Sequence, residues 1–125
     1  MARCRKGFTL IELLVVFAII ATLLSLVAPR YFQSIDRSKE AALEQNLTTL
    51  RQALDQYQDD TGKYPNTLED LVSAKYLRKV PTDPVTDSAQ TWIVIAPSDS
   101  KKGGIVNVKS GAAGNSISGR PYGDF

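Results

Sequence analysis

Histidine is missing from the 125 residues, and cysteine, methionine and tryptophan occur once each. Without histidine the chain cannot assemble within itself a Ser/His or Cys/His nucleophile or a histidine-bound metal. The one thiol, Cys4, excludes an internal disulfide and a multi-cysteine metal site, so the fold rests on packing alone. No glycine-rich phosphate cradle can be assembled, and no nucleophile with a base beside it. Internal repeats are absent too. A formal charge of +2 offers little for nucleic acid, and Lys101 and Lys102 make only a short basic pair. Arg3, Arg5 and Lys6 supply three of the fifteen basic residues; beyond them twelve basic face thirteen acidic residues.

What is present is one long apolar run. From Phe8 to Ala28 the sequence FTLIELLVVFAIIATLLSLVA carries a single charge, Glu12, and as a helix it is long enough to span a bilayer. The basic residues just ahead of it hold the N-terminus in the cytoplasm under the positive-inside rule, with the rest of the chain outside. A cleaved secretory signal is the competing reading. It fits less well, because such signals have shorter apolar regions that end in a small-residue cleavage site, whereas here the run ends at Ala28-Pro29-Arg30.

Beyond Pro29 the apolar positions Ile35, Leu43, Leu47, Leu50, Leu54 and Tyr57, with Ala42 and Ala53 adjoining, predict an amphipathic helix. Asp36, Arg37, Lys39, Glu40, Glu44, Arg51, Asp55 and Asp59 form its solvated face, and Gly62 stops it. Span and amphipathic stretch read as one rod from Phe8 to Asp60, kinked or loosened at Pro29; two separate helices joined there are the alternative. Thr67 and Asp70 predict a capping box that opens a short helix through Leu68, Leu71 and Val72. Pro81 and Pro84 enforce a loop. Residues 91–96 (TWIVIA) and 104–109 (GIVNVK) predict an antiparallel hairpin, and the Gly- and Ser-rich tail reads as irregular. Tyr57, Tyr64, Trp92 and Phe125 read as packing residues. Asp59 and Asp60 read as a solvated helix edge rather than an acid/base pair.

The most informative stretch is KGFTLIEL at residues 6–13. Gly7 leaves room for a protease to grip extended backbone, and Phe8 would then begin a new chain with a free amine. Glu12 sets a carboxylate among lipid-facing aliphatics, at a cost of about 2.5–3.5 kcal/mol at membrane depth if unpaired, less near the interface. Its own terminal amine four residues back, or that of a neighbouring copy, would answer the charge.

This segment resembles the N-terminal signature of type IV pilins and type II secretion pseudopilins. The likeness continues through the Tyr64-Pro65 turn, the TLEDL helix, Asp83-Pro84 and the closing SGRPYGDF, most like the major pseudopilin branch. It implies an α+β, pilin-like fold, with a long N-terminal helix, transmembrane then amphipathic, on a short helix and a small antiparallel β-sheet. It implies a leader over 1–7 that is cleaved off, a transmembrane and assembly helix over 8–29 and a periplasmic globular domain over 30–125. Gly7 would precede the cut, Phe8 would become the N-methylated first residue, Glu12 would serve subunit assembly, and Pro29 stands where the family carries a helix-disturbing proline.

The implied role is a non-enzymatic filament subunit in the bacterial inner membrane that supports protein export across the outer membrane. Its implied partners are other copies of itself, a prepilin peptidase/methyltransferase, minor pseudopilins, an inner-membrane platform with a cytoplasmic ATPase, and an outer-membrane secretin. A type IV pilin serving adhesion, motility or DNA uptake is the alternative within the class; a tethered binding module is the alternative outside it. Many major pseudopilins bind calcium through an acidic C-terminal loop, but here only Asp124 brings a carboxylate, beside Ser110, Asn115 and Ser118. Calcium is thus the one cofactor to test.

Overall fold

The computed structural model describes residues 6–98 and 103–125, so Arg3, Cys4, Arg5 and the Lys101–Lys102 pair lie outside the described residues. The described residues form helix α1 (Leu10–Thr61), helix α2 (Leu68–Ser73), strands β1 (Ile93–Ile95) and β2 (Asn107–Lys109), and a 3-10 turn at Tyr122–Asp124. This is an α+β, pilin-like set of elements. Helix α1 begins at Leu10 rather than Phe8 and contains Pro29, so the alternative of two helices parted at that proline does not form. It ends where expected. Gly62 takes φ +73 and its N–H donates to the Gln58 carbonyl at 2.8 Å, a left-handed cap that suits glycine.

The chain divides into two compact units, one up to Ile35 and one from Asp36 onward. In the first, every described residue from Lys6 to Ser34 is exposed, large aliphatics included. Leu10 is 77% exposed and Phe17 63%, which far exceeds the apolar surface a water-soluble unit tolerates. This helix is long and apolar enough to cross a membrane.

The second unit is built on the leucine stripe of α1. Leu43, Leu47, Leu50 and Leu54 are 0–1% exposed, each contributing about 1.5–3 kcal/mol by burial. Leu68 and Leu71 of α2 close over this stripe, together with Trp92, Ile105 and Val108 from the strand region. Ala42 does not join the stripe: it is exposed, one residue and hence about 100° round the helix from Leu43. Helix α2 starts as expected. The Thr67 side chain accepts from the Asp70 N–H while the Asp70 carboxylate accepts from the Thr67 N–H, the reciprocal capping box.

The hairpin is antiparallel with Val94 opposite Val108, yet each strand is only three residues long. Competing bonds shorten it. Trp92 turns into the core and its indole donates to the Pro81 carbonyl at 2.7 Å. The Ile105 N–H, in the stretch expected as strand, donates to the Pro65 carbonyl at 2.8 Å instead of to β1.

Two residues assigned to the solvated face of α1 instead hold the fold together. Arg51 donates from Nε to Asn107 Oδ1 at 2.9 Å, and from Nη2 to the carbonyls of Val108 at 3.0 Å and Phe125 at 2.8 Å. Glu40 Oε1 accepts the Ile117 N–H at 2.6 Å. The tail is therefore anchored rather than loose, and its Tyr122 and Phe125 rings pack against the core. Asp83 is fully buried and satisfied by three donors, the N–H groups of Val85 and Thr86 and the Ser110 hydroxyl at 2.5 Å.

Arg51→Met keeps the aliphatic stem and removes three charge-assisted bonds. It should cost about 1.5–3 kcal/mol in thermal or denaturant unfolding, more than removal of an exposed surface charge. Gly111→Ala should be at least as damaging, because a Cβ there would lie 2.0 Å from the Thr91 carbonyl oxygen and force the backbone apart. Equal stability of either variant and the parent chain would contradict these contacts.

Candidate functional site

The stretch singled out by sequence lies at the start of α1. Lys6, Gly7, Phe8 and Thr9 are exposed and non-helical, and the first helical residue is Leu10. Thr9 is the reason. Its Oγ1 accepts the Glu12 N–H at 3.2 Å, while Glu12 Oε2 accepts the Thr9 N–H at 2.8 Å. The Thr9 carbonyl takes the first backbone bond of the helix, from the Leu13 N–H at 3.2 Å. This is a second reciprocal capping box, with a carboxylate at the positive end of the helix dipole.

Sequence reasoning assigned Glu12 a terminal amine as partner; with the leader in place its partner is the Thr9 backbone. The signal was present. Thr9 and Glu12 stand at the same spacing that identified Thr67 and Asp70. Gly7 is informative in a different way: its φ is not positive and a Cβ there would meet nothing within 4 Å. Among the described residues nothing in the packing asks for glycine at that position.

Pro29 lies nearly five turns farther along α1. It has no N–H to return to the Ser25 carbonyl. Just before it, the hydroxyls of Thr22 and Ser25 each donate to the carbonyl four residues back, Ala18 and Ala21, both at 2.8 Å. Such back-bonding weakens and bends helices.

The residues considered for calcium are engaged separately. Ser110 is turned inward to Asp83, and Ser118 shares a 2.8 Å bond with Ser116. Asn115 pairs through its backbone with Pro121, and Asp124 is exposed, its backbone carbonyl accepting from Arg120 at 2.5 Å. Among the described residues no group of three or more acidic, histidine or cysteine side chains gathers. As placed, the set does not fit the roughly six to eight oxygens that calcium takes.

Asp59 and Asp60 form no paired site. Asp60 accepts from the Tyr76 hydroxyl at 2.7 Å and from Gln56 at 3.0 Å. That hydrogen bond, followed by burial and the Asp60 charge, raises the Tyr76 phenol above its ordinary 10.0. Tyr122 is raised too, by burial first and then by Glu40, Asp36 and Asp83. A raised phenol favours the folded state while it stays neutral. The Tyr76 contribution should thus be complete below pH 10.0 and be lost as pH climbs through the higher folded value. Unfolding curves from pH 8 to 11, compared with Tyr76→Phe, should show the variant losing less stability on the alkaline side.

Comparison with known proteins agrees with this geometry. Residues 2–28 match the prokaryotic N-terminal methylation motif, and residues 30–116 match the family described as type II secretion system, protein G. The type II secretion system core protein G of Klebsiella pneumoniae is 34% identical over 96 residues, which is 64% of this chain and 69% of that protein. The protein of the same name from Pseudomonas aeruginosa is 35% identical over 98 residues, 66% of this chain and 69% of its own length. No solved structure matches. With the methylation motif over the exposed helix and the second match over most of the remainder, the chain belongs to the type II secretion protein G family.

Proposed function

We infer that this chain is a structural, non-enzymatic subunit of a type II secretion pseudopilus that polymerises through its apolar N-terminal helix to support protein export across the outer membrane. The observation that carries the reading is the first unit. Its described residues offer a continuous exposed apolar surface with one carboxylate at its threshold, a pattern a simple anchor does not require. A surface pilin for adhesion or motility is less favoured, because the matched relatives are named for secretion.

The N-terminus lies in the cytoplasm, held by Lys6 with Arg3 and Arg5, and the second unit faces the periplasm. A prepilin peptidase/methyltransferase removes residues 1–7 and methylates the Phe8 amine. The free fit around Gly7 supports this reading, since the demand for glycine then comes from the enzyme that grips it. Glu12 exchanges its internal partner for a terminal amine as copies come into register. Pro29, with the back-bonded hydroxyls before it, is the place where the helix yields in the filament. An inner-membrane platform, a cytoplasmic ATPase, minor pseudopilins and an outer-membrane secretin complete the partner set.

Intact mass of the mature chain should show loss of Met1–Gly7 and one added methyl group. Gly7→Val should remain uncut and membrane-bound. A mature chain starting beyond Ala28 would overturn the assignment. Glu12→Leu should leave membrane levels equal or higher while filament yield falls at least tenfold, as expected of an ion pair made only on assembly and worth over 1.4 kcal/mol. Normal filament yield at equal membrane level would sink the pairing role.

A further inference from the structure

On the processing reading above, we propose that Thr9 is a positioning residue for the cut: its hydroxyl fixes the start of α1 at Leu10 and keeps the Gly7–Phe8 peptide outside the helix. The argument turns on one N–H. Were α1 to begin one residue earlier, the Glu12 N–H would bond the Phe8 carbonyl; one more step and the Ile11 N–H would bond the carbonyl of Gly7, the atom that must be attacked. Thr9 Oγ1 takes the Glu12 N–H at 3.2 Å and stops that progression at its first step. Glu12 Oε2 completes the stop by taking the Thr9 N–H at 2.8 Å.

Glu12, Leu13 and Leu14 favour helix and let its start move backward, and Phe8 opposes them only by a modestly poorer propensity. Gly7 resists only by its own poor helix propensity, roughly 1 kcal/mol. The cap therefore decides whether the bond to be cut is presented as extended chain. Hydrolysis adds water across that amide: oxygen joins the Gly7 carbonyl carbon, the C–N bond breaks, and a Gly7 carboxylate and a Phe8 amine are left. The peptidase supplies the catalytic groups, and Thr9 touches none of the reacting atoms. The Glu12 side chain is not needed for the Oγ1 bond, which goes to its backbone, so loss of the hydroxyl is the sharper probe.

The test uses the full-length chain in detergent micelles with purified prepilin peptidase, scoring initial cleavage rate by mass spectrometry and the start of α1 by carbonyl carbon chemical shifts of Gly7 and Phe8. Thr9→Ala should be cut on the order of fivefold more slowly, with the Phe8 shift moving toward helical values, because an N-cap hydroxyl is replaced by a strong helix former. Thr9→Ser keeps the acceptor and should restore both readouts to near parent level. An unchanged rate for Thr9→Ala overturns the proposal. So does a slower rate with an unmoved helix start, which would mean that the peptidase reads the threonine directly. If the parent chain is not cut between Gly7 and Phe8, the processing reading falls and takes this role of Thr9 with it.

Discussion

The second unit depends on a single leucine face. Its other pieces are too small to persist alone: α2 has six residues and each strand three, well below the size at which isolated helices or hairpins hold in water. Leu43, Leu47, Leu50 and Leu54 give them a common surface, and removing that surface from water is the dominant favourable term. Everything else adjusts to it. The indole of Trp92 and the buried carboxylate of Asp83 sit deep because Pro81 takes the first's hydrogen bond and Val85, Thr86 and Ser110 supply the second's.

Before Ile35 the residues of α1 serve a different solvent. The described residues of the first unit from Lys6 to Ser34 are exposed, a surface whose aliphatics suit lipid or another apolar helix. A carboxylate at the edge of such a surface is tolerable because the helix start offers it a backbone donor. That bond is local and exposed, and a full positive charge competes with it well.

The long-period features were legible in the sequence. Spacing of the leucines, the stop at Gly62, the Thr67–Asp70 box and the antiparallel pairing all follow from local rules and appear as read. What could not be read was settled by contacts far apart in the chain. Periodicity puts Arg51 and Glu40 on the wet side of α1, and it cannot know that the strand and the tail return to meet them, 56 to 77 residues later. The second strand is shorter than expected because the Ile105 N–H goes to the distant Pro65 carbonyl. The Thr9 cap is harder to read for another reason: a carboxylate in an apolar run points to a remote cation, whereas its bond is to a backbone N–H three residues away.

The anchoring of the tail carries a consequence for variation. Glu40 grips a main-chain nitrogen, and Arg51 grips two main-chain oxygens as well as the Asn107 amide. Main-chain atoms are the same whatever side chain they carry. Substitution at an exposed tail position such as Ala113 leaves those grips untouched, so the tail can diversify in what it displays while its path stays fixed. The two helix residues then act as a mount on which different surfaces can be carried, with evolutionary freedom on the outside and constancy at the clamp.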